Sequence, residues 1–172
     1  MRARERGFSL PELLLLLAVL GLVTTLSVTY AVAWLGRAES RGAVSSVQTL
    51  LQRARMEAVA RNRACRFTVD TATRRARVYD LVDVGNTGDD ILLSDATLSP
   101  RVVFARPDSG SAVTLAAISG STYGATFASD GSVSAGSGLV ALFGGDGYYR
   151  VNLYGAGGAA VERWNGSVWA TP

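Results

Sequence analysis

Residues 8–35 form an apolar run interrupted by a single charge, Glu12, and closed by Gly36 and Arg37. At 1.5 Å rise per residue the run makes about 42 Å of helix, more than a hydrocarbon core of roughly 30 Å requires, so it is long enough to span a bilayer with tilt. A secretory signal would carry an apolar region of roughly 7–15 residues followed by a small-residue cleavage site, and neither is present. Arg2, Arg4 and Arg6 against Glu5 make a basic segment ahead of the run. By the positive-inside rule the N-terminus is expected to stay cytoplasmic and everything after residue 35 to be exported. Glu12 then costs roughly 2.5–3.5 kcal/mol inside lipid and is functional by default. Its natural partner is a cation delivered by another molecule.

The stretch Gly7, Phe8, Ser9, Leu10, Pro11, Glu12, Leu13, Leu14 resembles the class III signal of type IV pilins and pseudopilins, in which a short basic leader ends in Gly and the apolar segment follows the cut. The resemblance implies that a prepilin peptidase cleaves between Gly7 and Phe8 and N-methylates Phe8. It also implies that Glu12 neutralises the N-terminal amine of a neighbouring subunit during filament assembly. Pro11 fits that processing on physical grounds. Proline lacks a donor and clashes with the carbonyl four residues back, so only the first turn of a helix tolerates it. Cleavage makes Pro11 the fourth residue and removes Gly7, the residue it would meet.

Composition narrows what the exported part can do. All 17 basic residues are arginine, and the net charge of +3 falls to +1 without the leader's +2. Histidine is absent, which removes the usual general base and the commonest metal ligand. No enzymatic activity, cofactor or metal site is therefore expected. The single cysteine, Cys65, excludes an intramolecular disulfide and reads as a small buried hydrophobe, with intermolecular pairing as the alternative.

Beyond the run, residues 37–64 contain no proline, and Val44, Val47, Leu51, Ala54 and Ala58 recur at alternating spacings of three and four. That is one face of an amphipathic helix. One helical element over 8–64, with Gly21, Gly36 and Gly42 as weak points, is expected; a short span joined to an independent helix through 36–42 is the alternative. After residue 64 the period changes. Stretches 65–70 and 76–82 predict a hairpin, and further strands are predicted over 102–105, 112–118, 123–128, 139–143, 148–154, 161–164 and 167–170. Asn165-Gly166 predicts a two-residue type I′ turn that puts Trp164 and Trp169 on one face. The expected architecture is α+β: a leader over 1–7, a transmembrane or filament-core helix over 8–36, an amphipathic exported helix over 37–64, and an antiparallel β domain over 65–172.

The order of elements and the pattern Ala125-Thr126-Phe127, Asp130-Gly131, Leu139 to Leu142 and Tyr149 to Leu153 before a Gly-rich turn resemble the H-type minor pseudopilins, the GspH and FimT/FimU-like proteins. Such proteins are minor subunits of type II secretion pseudopili or type IV pili. The resemblance implies partnership with other pilin or pseudopilin subunits, an inner-membrane assembly platform and the lipid bilayer. A few such proteins are proposed to bind DNA through a glycine-arginine motif near the C-terminus. Here the matching place reads Gly155-Ala156-Gly157-Gly158-Ala159-Ala160, with Arg163 the only basic residue beyond it.

A second basic feature, Arg53, Arg55, Arg61, Arg63, Arg66, Arg74, Arg75 and Arg77, faces only Glu57 and Asp70 within 53–77. Clustered arginines hold phosphates in a salt-sensitive way, and Arg74, Arg75 and Arg77 are the candidate nucleic-acid contacts. Against this, Glu57 stands four residues from both Arg53 and Arg61, as in surface ion pairs, and the helical arginines scatter around the axis. A solvated or subunit-contacting surface is expected in preference to DNA. Asp83, Asn86, Asp89 and Asp90 offer calcium-type oxygens without EF-hand spacing and read as a solvated turn. The leading reading is a pilin or pseudopilin subunit of the inner membrane and filament. The competing readings are a DNA-binding competence pilin and an unrelated membrane-anchored β domain.

Overall fold

The computed structural model describes residues 10–83, 85 and 88–171. One helix, α1 (Leu10–Arg61), precedes ten strands: β1 (Cys65–Asp70), β2 (Arg75–Asp80), β3 (Ile91–Thr97), β4 (Ala116–Ser119), β5 (Thr122–Phe127), β6 (Val133–Ala135), β7 (Gly138–Gly144), β8 (Gly147–Leu153), β9 (Ala159–Trp164) and β10 (Trp169–Ala170). The chain divides into two units, Met1–Leu35 and Gly36–Pro172.

In the first unit the large apolar side chains of α1 are exposed, among them Leu13, Leu14, Leu16, Leu20, Val23 and Tyr30. The hydroxyls of Thr24, Thr25 and Ser27 bond to the helix's own carbonyls. The Thr24 hydroxyl donates to Leu20 O at 2.9 Å, Thr25 to Gly21 O at 2.7 Å and Ser27 to Val23 O at 2.8 Å. Hydroxyls bonded to carbonyls one turn back are what a lipid environment demands of them.

The second unit holds the core. Val44, Val47, Leu51, Ala54 and Ala58, the stripe expected from spacing, are at most 5 % exposed. Each large apolar side chain so buried contributes about 1.5–3 kcal/mol. Two antiparallel sheets supply the other side. The first runs β3-β2-β1-β5-β4, with β6 also pairing β5, and the second runs β10-β9-β8-β7. Period-two alternation turns Cys65, Phe67 and Val69 of β1, Phe127 of β5 and Tyr149, Val151 and Leu153 of β8 inward.

Several elements depart from expectation for local reasons. The helix ends at Arg61, three residues early, because Asn62 adopts a left-handed φ of 51° and Arg63 N–H bonds back to Ala58 O at 3.1 Å. That is a Schellman closure with Asn in the usual Gly place. The predicted strand 102–105 does not form; Val103 makes one bridge to Phe143. Only the end of the predicted 112–118 is a strand, β4, while Val113 bridges Val140. Pro100 and Pro107 cannot donate to a ladder, so this segment borders β7 through scattered bonds such as Ala141 N–H to Ala112 O. Strands β3 and β6 were not anticipated. β3 is an edge strand whose burial does not alternate cleanly and whose register with β2 shifts between Val78 and Tyr79. The terminal turn is also wider than predicted: Trp164 pairs Trp169 across four residues. The Asn165 side chain opens it by accepting from Ser167 N–H at 3.0 Å and Val168 N–H at 2.9 Å. The two tryptophans still share a face.

Close backbone approaches join elements where side chains would not fit. A Cβ on Gly145, after β7, would lie 2.6 Å from Gly36 C, and one on Gly144 would lie 2.0 Å from Ser40 Oγ. Beside this contact Asp146 holds the β7–β8 hairpin to α1: its Oδ2 accepts from the Tyr149 hydroxyl at 2.7 Å and faces Arg41 Nε at 3.5 Å. A second approach joins the sheets. Gly131 and Gly157, at φ +79° and +80°, sit so closely that a Cβ on Gly157 would lie 1.9 Å from Gly131 O, beside the Arg55 side chain.

Candidate assembly surface

The first turn of α1 contains Pro11 and Glu12. Glu12 is exposed, as are its neighbours Leu10, Leu13, Leu14 and Leu15, so among the described residues its carboxylate is the one charge of the apolar stretch 10–36. Gly7 and Phe8 lie outside the described residues. Length and composition make α1 able to cross a membrane, and its described apolar side chains there are exposed. The arrangement can do one thing chemically: offer a carboxylate and an apolar flank to other molecules.

The arginine run is paired in part within the fold. Glu57 accepts from Arg61 Nε at 2.7 Å and lies 3.8 Å from Arg53 Nε, the two i,i+4 pairs expected. Arg61 also reaches the buried Asp80, at 3.2 Å. Arg66 lies 3.6 Å from Asp90, Arg75 pairs with Asp95, and Arg77 stands 3.6 Å from Asp95 and 3.5 Å from the Tyr79 hydroxyl. The Tyr79 hydroxyl, then Asp95, raises the Arg77 pKa. Of the candidate nucleic-acid contacts, Arg75 and Arg77 thus share one aspartate, and Arg74 is the left-handed turn residue of the β1–β2 hairpin, at φ 55°. Asp95 lies beyond residues 53–77, on β3, and meets Arg75 and Arg77 across the β2–β3 ladder. Cross-strand pairing therefore hid it.

Two further groups show their environment plainly. Burial pushes the Cys65 thiol up to about 11, with Asp80 adding to it, so the side chain is an inert part of the core. Burial likewise raises the Asp90 carboxyl, against the pull of Arg66. In the acidic loop Asn86 lies outside the described residues, and Asp83 Oδ1 is engaged by Gly85 N–H at 3.0 Å. Among the described residues no cluster of three metal-ligating side chains occurs. The buried Asp80 and Asp146, whose side chain is 6 % exposed, carry no motif in the sequence. Their signal was an acidic residue at an inward strand position and one in a Gly-Gly-Asp-Gly turn.

The family model of the type II transport protein GspH matches residues 43–157. The chain belongs to the GspH family. The match begins on the buried stripe of α1 and ends at the Gly157 approach, so it spans most of the packed unit of this GspH-family chain. In fold it is similar to the type IV minor pilin FimU of Pseudomonas aeruginosa, at a TM-score of 0.51 and 16% identity, covering 78% of this chain and 94% of that one. It is equally similar to the minor pseudopilin EpsH from the type 2 secretion system of Vibrio cholerae, at a TM-score of 0.51 and 17% identity over 72% and 95%. No curated protein sequence matches the chain significantly. A GspH-family member with one long N-terminal helix on antiparallel sheets is a minor pilin or pseudopilin by family and fold, and its family is structural.

Proposed function

We propose that the chain is made as a prepilin, cut between Gly7 and Phe8 and N-methylated at Phe8 by a prepilin peptidase. Segment 8–36 then holds it in the inner membrane with the domain 65–172 exported. Other pilin or pseudopilin subunits and an inner-membrane platform take it into a type IV pilus or type II secretion pseudopilus. The observation that carries this reading is the bare apolar helix with one carboxylate, Glu12, in its first turn. An unpaired glutamate in lipid costs roughly 2.5–3.5 kcal/mol, and a neighbour's terminal amine would remove most of that cost. Glu12 is thus the register element of assembly. The internal pairing of Arg61, Arg66, Arg75 and Arg77 supports assembly over DNA binding, since a polyanion draws its affinity from cations it can neutralise.

Mass spectrometry of the mature chain tests the processing: a methylated Phe8 at the N-terminus is expected, and an intact leader in cells with an active peptidase would refute it. Glu12→Ala should be processed normally yet drop out of sheared filaments. Wild-type incorporation of that variant would remove the role given to Glu12.

A further inference from the structure

The outer face of the second sheet carries aromatic rings that the core does not use. Alternation along β8 buries Tyr149, Val151 and Leu153 and leaves Tyr148, Arg150 and Asn152 half-buried on the opposite side. Register carries that outer face across the sheet. Phe143 pairs with Tyr148, ring centroids 4.5 Å apart. Arg150 pairs with Glu162, whose carboxylate accepts its Nε–H. Trp164 pairs with Trp169 at 5.4 Å, edge to face, and the Arg150 guanidinium lies 4.6 Å from the Trp169 centroid. Tyr148 and Trp164 each stand one residue beyond the last β8–β9 pair, Tyr149 with Arg163. The four rings therefore occupy one end of all four strands. Three strand intervals of about 4.8 Å make the row about 14 Å long.

The charge on this face selects the kind of partner. Arg150 and Glu162 neutralise each other, and Arg163 is turned to the other side, over the Tyr149 ring and donating to Asp146 O at 2.7 Å. A nucleic acid would need unpaired cations here to bind its phosphates. A neutral partner does not. The negative faces of aromatic rings attract weakly positive C–H groups, and the C–H face of a pyranose ring is flat, uncharged and ringed by hydroxyls. Asn152, Glu162 and the Arg150 guanidinium supply donors and acceptors at the rim for those hydroxyls.

We propose that Phe143, Tyr148, Trp164 and Trp169, rimmed by Arg150, Asn152 and Glu162, bind a neutral unbranched polysaccharide. The test uses the full chain in detergent micelles carrying Trp34→Phe, so that fluorescence reports only Trp164 and Trp169. It is titrated with cellohexaose, chitohexaose and maltohexaose, and separately with single-stranded oligodeoxythymidylate. A saturable, salt-independent change with at least one hexasaccharide is expected, weakened about tenfold by Trp164→Ala, the loss of one stacked ring. Because that substitution can loosen the terminal hairpin, Phe143→Thr serves as the second variant. Phe143 is 38 % exposed, so the change should weaken binding while near-UV and far-UV circular dichroism show the fold retained. No saturation with any of the three sugars overturns the proposal, as does sugar binding indifferent to both variants. Binding confined to the oligonucleotide and lost in salt overturns it in favour of nucleic acid.

Discussion

Gly145→Ala and Gly36→Ala change the two sides of one contact and should have opposite signs. A methyl on Gly145 would lie 2.6 Å from Gly36 C, 2.8 Å from Gly36 Cα and 2.9 Å from Gly36 O. All three are backbone atoms of a helix, which cannot swing aside as a side chain does. Relief to ordinary contact needs the hairpin tip to withdraw by about 0.8 Å, and overpacking of this kind costs about 1–3 kcal/mol. Withdrawal also strains the Asp146 contacts to Tyr149 at 2.7 Å and Arg41 at 3.5 Å. A methyl on Gly36 instead meets Gly145 Cα at 3.5 Å, an ordinary contact, and replacing a helical Gly by Ala gains about 1 kcal/mol. With a urea m-value of about 2 kcal/mol/M, Gly145→Ala should lower the unfolding midpoint by about 1 M and Gly36→Ala should raise it by about 0.5 M. Urea titration of the full chain in mild detergent, followed by near-UV circular dichroism, reads both. A Gly145→Ala midpoint at the wild-type value, or a Gly36→Ala midpoint below that of Gly145→Ala, would refute the contact as described.

Arg61→Met should lower the melting temperature of the packed unit, because it removes the cation beside Asp80, which is 1 % exposed, and a buried charge left without its partner is destabilising. Adding Asp80→Asn should restore most of the loss, and a thermal melt of the single and double variants decides. Asp70 accepts from the Thr73 and Ser121 hydroxyls and the Ala72 and Thr73 amides, which hold its carboxyl down at about 2. Since that lies below the unfolded value of about 3.9, Asp70 adds stability above about pH 4, and the contribution disappears as pH falls toward 2. Unfolding midpoints between pH 5 and pH 2 should therefore fall less steeply for Asp70→Asn than for the wild type; parallel curves would show that the turn does not depend on the carboxylate.

The long helix and the strands β1, β2, β5, β7, β8 and β9 were legible because their apolar residues follow one period over enough positions to leave no choice of face. Val44 to Ala58 and Tyr149 to Leu153 are the clearest cases. What was illegible depends on partners far away in sequence. β3 has weak alternation of its own and exists because β2 needs a neighbour; with it came Asp95, which changes the meaning of Arg75 and Arg77. The segment 98–115 has strand composition but prolines where a ladder needs donors. Asn165-Gly166 does turn the chain, yet the Asn side chain and the pairing of two tryptophans, rather than the dipeptide, set the loop length. Glu12 could be recognised from sequence because an isolated charge in an apolar run needs no third dimension to be seen.

β1 lies between β2, its immediate successor, and β5, so that Cys65 faces both Asp80 and Phe127 across the ladders. Half of its hydrogen bonds therefore wait for chain made some sixty residues later, and the Arg55 side chain waits for Gly131 and Gly157 at the seam between the sheets. Contacts of such long sequence separation form slowly and late. The packed unit cannot close as it emerges, hairpin by hairpin; nearly all of it must be present first. Folding of the packed unit is therefore completed only by its last third.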